Sequence, residues 1–324
     1  MTRLIAALAL AFTASATFAA DEIKEINFGI ISTESSANLK DAWEPFRADL
    51  EKKFGMPVKP FFASDYAGVI EAMRFKKIEL AWFGNKSAVD AVDRAGAEVF
   101  AQVVDADGQA GYHSWVIVRN DSPYQNLDEL FAKGKELNFG MGDPQSTSGT
   151  LVPGYYIFAK RGVKPEEAFK RVTSAKHEAN ALSVVAGQLD ASTFNSEAFF
   201  RLQKTNAEKA GMIRKIWESP MIASDPLCIR KELPAEFKAK AKEIFVGYGK
   251  TDAEKATIAV LKWSGFRPST DAQLLPTRQL ILAKKKAELE NDATMSADDK
   301  KAKIAELDKQ LAELQKQLDA QPKT

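Results

Sequence analysis

Short apolar runs alternate with amphipathic helical patterns along most of the chain. Strands are predicted at residues 26–32, 58–63, 79–83, 99–104, 114–118, 137–141, 171–174 and 191–194. Helices are predicted at residues 70–75, 151–159 and 180–186, in addition to one that follows the first strand. This alternation is typical of an α/β fold with a largely parallel sheet.

The clearest helical pattern follows the first predicted strand. Its apolar residues recur at steps of three and four: Trp43, Phe46, Leu50 and Phe54. Such spacing places them on one helix face, which indicates a face turned toward a core. Pro45 is taken to lie near the helix start, and Gly55 predicts its end.

A second α/β unit is predicted from Leu137 onward, because the strand and helix pattern restarts there. The segments 26–29 (INFG) and 137–140 (LNFG) are similar, although a match of four residues carries little weight. We predict a first lobe at residues 21–118 plus 220–283, with residues 212–225 returning the chain to it, and a second lobe at 119–219. A cleft between two such lobes is the natural ligand site.

Residues 284–324 are predicted to form a C-terminal helical extension. Apolar residues repeat there at steps of 3, 4, 3 and 4: Ile304, Leu307, Leu311, Leu314 and Leu318. This seam spans only about two heptads, whereas a coiled coil usually needs about three to four. Packing on its own lobe and formation of a homodimer are therefore both open alternatives.

The N-terminus has the features of a secretory signal peptide. Arg3 precedes an apolar run at residues 4–12, and small residues follow as far as Ala19 and Ala20. We predict cleavage after Ala19 or Ala20. No later segment approaches the roughly 20 apolar residues of a membrane span. We therefore expect a soluble mature protein in the bacterial periplasm.

Charge and composition exclude several classes of function. The 45 basic and 44 acidic residues become 44 of each once Arg3 is removed. A nucleic-acid binder usually shows an excess of basic residues, so that partner is not expected. A single cysteine, Cys228, and two histidines do not suffice for a disulfide or a common zinc site. We expect no metal and no cofactor.

The most informative segment is residues 143–149 (DPQSTSG), which lies between a predicted strand and a predicted helix. Ser146, Thr147 and Ser148 place three hydroxyls beside free backbone N–H groups, where the helix dipole favours an anion. One hydroxyl alone would be explained as a helix cap. Because three exceed that need, the segment indicates a phosphate-type site, and the missing Gly-Lys motif excludes a nucleotide P-loop.

Other polar residues near predicted strand ends can serve the same cleft. Tyr66, Tyr112 and His177 offer donors for an anion, and Glu197 and Asp225 can receive a cationic group. Taken one at a time, each is equally well explained as a core, surface or loop residue. The chain lacks a G-x-S-x-G nucleophile motif and has few histidines for acid–base work. Binding without catalysis is therefore favoured.

Extended motifs make the chain similar to the periplasmic phosphonate-binding proteins of ABC transporters. They are residues 27–35 (NFGIISTES), 65–68 (DYAG), 81–85 (AWFGN), 142–144 (GDP) with 146–149 (STSG), and 152–156 (VPGYY). The resemblance covers nearly the whole mature chain. It implies a two-lobed periplasmic binding protein of type II, with a hinge, that closes over a phosphonate such as 2-aminoethylphosphonate and delivers it to an ABC permease. It also implies dimerisation through the C-terminal helices.

The resemblance further implies a role for each candidate residue. Around the phosphonate it places Tyr66, Tyr112, Ser146, Thr147, Ser148 and His177. Glu197 and Asp225 would hold the ligand's ammonium group. Phe83 and His113 depart from a relative's pattern, so no hydroxyl is expected from the strand end at Phe83 and the cleft rim is expected to differ at His113.

Neutral hydroxyls, imidazole and helix N–H groups are expected to bind the anion without a buried arginine or lysine. Two alternatives remain at this stage. One is an enzyme that acts on a phosphorylated small molecule on the same scaffold. The other is an extracytoplasmic sensor subunit with a helical tail.

Overall fold

The computed structural model describes residues 23–321. The predicted signal peptide and its cleavage site lie outside the described residues. The strands are β1 (Ile26–Ile30), β2 (Val58–Phe62), β3 (Leu80–Trp82), β4 (Ala97–Asp105), β5 (Gly111–Tyr112), β6 (Ser114–Arg119), β7 (Asn138–Met141), β8 (Arg171–Ser174), β9 (Ala191–Asn195), β10 (Ile213–Glu218), β11 (Ile222–Ala223), β12 (Pro226–Arg230) and β13 (Trp263–Pro268). All eight predicted strands are present.

Helices connect most of these strands. They are α1 (Ser36–Phe54), α2 (Tyr66–Arg74), α3 (Asn85–Arg94), α4 (Leu127–Ala132), α5 (Pro165–Ala168), α6 (His177–Val185), α7 (Ser196–Thr205), α8 (Ala207–Ala210), α9 (Ala235–Gly247), α10 (Asp252–Ala259), α11 (Leu275–Glu290) and α12 (Ala297–Asp319). The helix predicted at 151–159 is part of a helical run that contains π-helical turns at Thr147–Leu151 and Gly154–Phe158.

Each lobe is built on one mixed sheet, and the two sheets share one strand arrangement. The first sheet has the order β2-β1-β3-β12-β4-β13, and the second has the order β8-β7-β9-β6-β10. In each sheet the second strand of this order, β1 or β7, pairs in parallel with its two neighbours. One antiparallel strand, β12 or β6, is then inserted next to them. The structure is a two-lobed α/β fold.

Strand β6 shows that the predicted lobe boundary at residue 118 is wrong. The sequence analysis placed residues 114–118 in the first lobe, but this strand pairs with β9 and β10 in the second sheet. Strand β12, in turn, enters the first sheet after the chain has completed the second lobe. Apolar content alone does not reveal this exchange, because an apolar strand would be buried in whichever sheet it joined.

The short similarity between residues 26–29 and 137–140 falls on equivalent strands, β1 and β7, each second from the edge of its sheet. Asn27 N donates to Glu79 Oε2 at 2.8 Å, and Asn138 N donates to Asp190 Oδ2 at 2.7 Å. Each acidic residue lies just before the third strand of its unit. The two lobes therefore repeat a local hydrogen bond as well as a strand order.

The chain passes between the lobes through a two-stranded ribbon of β5 and β11. Tyr112 is paired with Ile222, and Gly111 is paired with Ala223. A Cβ at Gly111 would lie 1.9 Å from the carbonyl oxygen of Ile222, so only glycine allows this approach. The return predicted at 212–225 takes place at β11, because residues 213–218 still belong to the second sheet.

Helix α1 packs its predicted apolar face into the core of the first lobe. Its four predicted apolar residues are buried, and the Trp43 ring lies 5.2 Å from Trp263 and 5.5 Å from Trp82. The helix begins at Ser36, capped by Ser35, so Pro45 lies in its interior rather than near its start. Gly55 ends it in the left-handed conformation, as predicted.

The C-terminal extension is a helical hairpin that contacts both lobes. Arg278 on α11 pairs with Asp93 of the first lobe at 2.8 Å, and Asn291 lies against Gly162 of the second lobe. The predicted boundary at 283/284 is wrong, because it falls inside α11. Helix α12 packs along α11, which buries Leu307 and leaves the other four seam residues half-buried. Within residues 23–321, no helix has both the length and the apolar content needed to cross a membrane.

Candidate functional site

A buried cavity lies between the two lobes, where strand ends from both sheets converge. Its lining residues are Ile31, Thr33, Tyr66, Trp82, Gly84, Tyr112, Ser146, Thr147, Ser148, His177, Asn195, Glu197, Arg201 and Asp225. All eight residues named from the sequence belong to this set. The lining comes from both lobes and from the hinge strand β5, so the site exists only when the two lobes meet.

Three hydroxyls line one wall of the cavity at the start of the π-helical turn. Ser146 Oγ accepts from Gly149 N at 2.9 Å and so caps the helical run. Thr147 Oγ1 accepts from Lys86 N of the first lobe at 2.9 Å, and Ser148 Oγ accepts from Asn195 Nδ2 at 2.9 Å. All three side chains are buried. Each hydroxyl keeps its own O–H available as a donor to a bound anion.

His177 stands at the start of α6 beside these hydroxyls. Its Nε2 lies 3.1 Å from Asn195 Nδ2, which makes Nε2 an acceptor and puts the proton on Nδ1. Burial, with a smaller effect of the Arg201 charge, lowers the pKa of His177 to about 3. The imidazole is therefore neutral. Within the described chain, Nδ1 is buried without a hydrogen-bond partner, and so is Thr33 Oγ1.

Two carboxyl groups, those of Glu197 and Asp225, also line the cavity. Asp225 accepts from Trp82 Nε1 at 3.1 Å and from Tyr112 Oη at 3.2 Å. Burial and repulsion from Glu197 raise the pKa of Asp225 well above its usual value, despite these hydrogen bonds. Burial also raises the pKa of Glu197 to about 7. The pair therefore retains protons near neutrality unless a cation enters the cavity.

The two tyrosines approach the cavity from the first lobe and the hinge. Tyr66 begins α2, and its backbone N–H donates to Asp143 Oδ2 of the second lobe at 3.2 Å. Burial raises the pKa values of both Tyr66 and Tyr112, so their phenols stay protonated. Both are therefore neutral groups that can donate a hydrogen bond.

A buried arginine also lines the cavity, contrary to the expectation of a site without one. Arg201 on α7 is 6% exposed, and its Nε contacts Glu34 Oε1 of the first lobe. Glu34 follows β1 and is equally buried. Because the two charges cancel, the arginine adds no net positive charge to the cavity. No local sequence pattern reveals the ion pair, because the two partners are 167 residues apart in the chain.

Further hydrogen bonds join the lobes around the cavity. Glu178 of α6 accepts from Ser35 N at 2.7 Å and from Asn38 Nδ2 at 2.5 Å, both at the N-terminus of α1. Asp143 acts in the same way at the N-terminus of α2. A carboxylate near a helix N-terminus is favoured by the helix dipole. Two acidic groups of the second lobe thus dock on helix ends of the first.

Phe83 and His113, the two residues that depart from a relative's pattern, lie in different surroundings. Phe83 is fully buried in the core of the first lobe and does not line the cavity, whereas the preceding residue, Trp82, does. His113 is half-buried in the hinge, where its Nδ1 lies 2.9 Å from the carbonyl oxygen of Ser219. His113 therefore belongs to the hinge rather than to the cavity wall.

Four polar lining residues were not named from the sequence: Thr33, Trp82, Asn195 and Arg201. Thr33 and Trp82 lie within the recognisable motifs at residues 27–35 and 81–85. Asn195 is the N-cap of α7, two residues before Glu197, and Arg201 lies one helical turn after Glu197. The spacing of Glu197 and Arg201 was a signal that the two share a helix face.

Comparison with known proteins supplies the biological context of this cavity. Residues 28–274 match the family model described as "ABC transporter, phosphonate, periplasmic substrate-binding protein". The chain is 49% identical over 300 residues to the "Phosphonates-binding periplasmic protein" of Escherichia coli (strain K12), covering 93% of this chain and 88% of that protein. It is 31% identical over 250 residues to the "Phosphate-import protein PhnD" of Mycolicibacterium smegmatis, covering 74% and 75%.

A solved structure is similar over nearly its whole length. It is the crystal structure of a binding protein component of an ABC phosphonate transporter from Pseudomonas aeruginosa. The TM-score is 0.90 at 50% sequence identity, and the match covers 91% of this chain and 98% of that one. These proteins are named for binding and transport rather than for catalysis.

Proposed function

Because this chain belongs to the family of periplasmic substrate-binding proteins of phosphonate ABC transporters, we propose that its ligand is 2-aminoethylphosphonate or a closely similar aminophosphonate. The protein is a binding component and not an enzyme, and the family places it in the periplasm. The proposal adds the identity of the ligand, the closure of the lobes over it and the roles of the lining residues.

The observation that carries the proposal is that one buried cavity combines two kinds of polar group. Ser146, Thr147, Ser148 and His177 are neutral hydrogen-bonding residues, and Glu197 and Asp225 are acidic. An aminoalkylphosphonate has the complementary groups, an anionic phosphonate and an ammonium. Inorganic phosphate and methylphosphonate would leave the two carboxylates unpaired, which is costly in a buried site.

The anionic end of the ligand would be held by hydrogen bonds rather than by a net positive charge. The hydroxyls, the imidazole of His177 and the phenols of Tyr66 and Tyr112 can hydrogen-bond to the three phosphonate oxygens. A hydrogen bond to a charged group contributes about 1.5–3 kcal/mol. Several of them together can offset desolvation and the ordering of the lobes.

Lobe closure is part of the proposal because the lining residues come from both lobes. Without the other lobe, Glu178 and Asp143 lose their partners on α1 and α2, and Arg201 loses Glu34. A ligand that bridges the two walls would favour the closed arrangement through the same contacts. The membrane permease is the partner that receives the ligand in an ABC transporter.

The proposal is tested by calorimetric titration of the protein with 2-aminoethylphosphonate, methylphosphonate and phosphate. We expect 2-aminoethylphosphonate to bind tightest, and its preference to weaken as the pH falls. In the free protein the pKa of Glu197 is about 7, and a bound ammonium lowers it. Binding therefore releases protons, so affinity is fully present above that pKa and decreases below it by up to about tenfold per pH unit and proton.

Methylphosphonate is the control for this pH dependence, because it carries the phosphonate group but has no ammonium. The dissociation constant of methylphosphonate divided by that of 2-aminoethylphosphonate should rise from about pH 6 to about pH 8. Titrations in two buffers of different ionisation enthalpy count the protons released. A ratio that stays constant over this range would show that the carboxylate pair does not receive the ammonium.

We also propose that α12 forms a homodimer contact. Leu307 is buried against α11, whereas Ile304, Leu311, Leu314 and Leu318 remain half-buried along one side of the helix. A second copy of the hairpin would cover this stripe. The resemblance to the family points to the same contact.

Deletion of residues 292–324 tests the dimer, because it removes α12 and leaves α11 on both lobes. We expect the truncated protein to be a monomer by sedimentation equilibrium and to bind 2-aminoethylphosphonate within about threefold of the full chain, a difference under 1 kcal/mol. Full-length protein that is monomeric at the same concentration would overturn the proposed contact.

A further inference from the structure

The buried ion pair between Glu34 and Arg201 joins the two lobes beside the carboxylates of the cavity. Both side chains are 6% exposed, and Arg201 lines the cavity together with Glu197. Glu34 belongs to the first lobe, whereas Arg201 and Glu197 lie on α7 of the second lobe. Three ionisable side chains are thus buried together, and only one of the two carboxyl groups can take the Nε–H of the arginine.

The nearest partner of Arg201 by helix geometry is Glu197. The two residues are four positions apart on α7, with the glutamate N-terminal, which is the favourable order for an ion pair on a helix. The structure nevertheless has Arg201 Nε in contact with Glu34 of the other lobe. Glu34 therefore draws the arginine away from the carboxylate that shares its helix face.

We propose that Glu34 determines the selectivity for aminophosphonates by holding Arg201 away from Glu197 in the closed protein. This role rests on the proposed function, in which Glu197 receives the ligand's ammonium. With Arg201 paired to Glu34, Glu197 forms no ion pair of its own and remains free for that ammonium. Without Glu34, the guanidinium turns to Glu197, cancels its charge and competes with the ligand.

Charge balance in the cavity supports this role. Removing one partner of a buried pair leaves an uncompensated charge, which is strongly unfavourable. Without Glu34, pairing of Arg201 with the nearest buried carboxylate is therefore strongly favourable. Glu197 is that carboxylate, because one helical turn separates the two Cβ atoms by only about 5–6 Å. Glu34 is a positioning residue, and it acts on the ligand through Arg201.

The test is the ratio of the dissociation constants for methylphosphonate and 2-aminoethylphosphonate, measured by calorimetry. In Glu34→Gln we expect the ratio to fall by about tenfold or more, because competition from Arg201 affects only the ammonium ligand. In the double variant Glu34→Gln/Arg201→Gln, Glu197 is free again. The ratio should then return to within about threefold of the wild-type value, even if both ligands bind more weakly than to the wild type.

Glu178→Gln is the matched control. Glu178 also joins the lobes, through Ser35 and Asn38, but it does not line the cavity. Its replacement should weaken both ligands by the same factor and leave the ratio unchanged. If Glu34→Gln behaves in the same way, Glu34 only holds the lobes together and the proposal is overturned. A double variant that does not recover the ratio also overturns it.

Glu34→Asp serves if Glu34→Gln does not fold. It keeps the charge but withdraws the carboxylate by one methylene, so the ratio should fall to a smaller extent, and an unchanged ratio counts against the proposal. The wild-type titration separates this inference from the proposed function. If the wild type shows no preference for 2-aminoethylphosphonate, the proposed amine site itself is wrong. If Glu34→Gln retains the preference, only the proposed role of Glu34 is wrong.

Discussion

Replacement of Glu197 by glutamine is expected to weaken binding of 2-aminoethylphosphonate by about 2–5 kcal/mol. This corresponds to a loss of roughly thirtyfold to several thousandfold in affinity. The carboxylate is 5% exposed and lines the cavity together with Asp225. Its removal leaves the ligand's ammonium with one carboxylate in a buried site.

The same substitution should weaken the binding of methylphosphonate much less, or strengthen it. It has no ammonium, so Glu197 offers it no attraction, and loss of a buried carboxylate removes repulsion from Asp225. Isothermal titration with both ligands measures the difference. Glu208→Gln, on the exposed surface of the same lobe, is the control. Equal losses for the two ligands would remove Glu197 from the amine site.

Simultaneous replacement of Ser146 and Thr147 by alanine is expected to weaken every phosphonate by a similar amount. Two charge-assisted hydrogen bonds at about 1.5–3 kcal/mol each amount to about 3–6 kcal/mol. The ratio between 2-aminoethylphosphonate and methylphosphonate should stay constant, because both ligands share the phosphonate. Titration with both measures the loss, and thermal unfolding without ligand measures the stability.

The stability measurement is needed because Ser146 is also a helix cap. Loss of a cap costs about 0.5–2 kcal/mol of stability by itself. Thr150→Ala provides the matched control, since Thr150 Oγ1 donates to the carbonyl oxygens of Gly142 and Asp143 and does not line the cavity. It should lower stability without changing affinity. Unchanged binding in the Ser146 and Thr147 variant would exclude the helix start from the phosphonate site.

Much of the fold was predictable because strand and helix patterns are local. The apolar spacing in α1 and the left-handed Gly55 follow from neighbouring residues alone. The lobe boundary was not predictable in this way. Strands β6 and β12 are each exchanged between the two halves of the chain, and their sheet membership depends on partners about 75 or more residues distant.

The residues of the candidate site likewise divide into those that a local sequence pattern reveals and those that it does not. Ser146, Thr147 and Ser148 were recognisable because a strand, three hydroxyls and a helix are contiguous in the sequence. Tyr112, Glu197 and Asp225 had no decisive local pattern, and the resemblance to a family singled them out. Arg201 was missed altogether, and a site without a buried arginine was expected. Its partner Glu34 comes from the other lobe, so no segment contains both charges.

The sequence by itself determined the alternation of strands and helices, the near balance of 45 basic and 44 acidic residues and the motifs that indicate a phosphonate-binding protein. These properties depend on residue type and short spacing. Only the tertiary structure decided which strands form each sheet, which side chains line the cavity and which carboxylate holds Arg201. Buried charges interact strongly at distances of a few ångströms, and those distances are set by residues that are far apart in the chain.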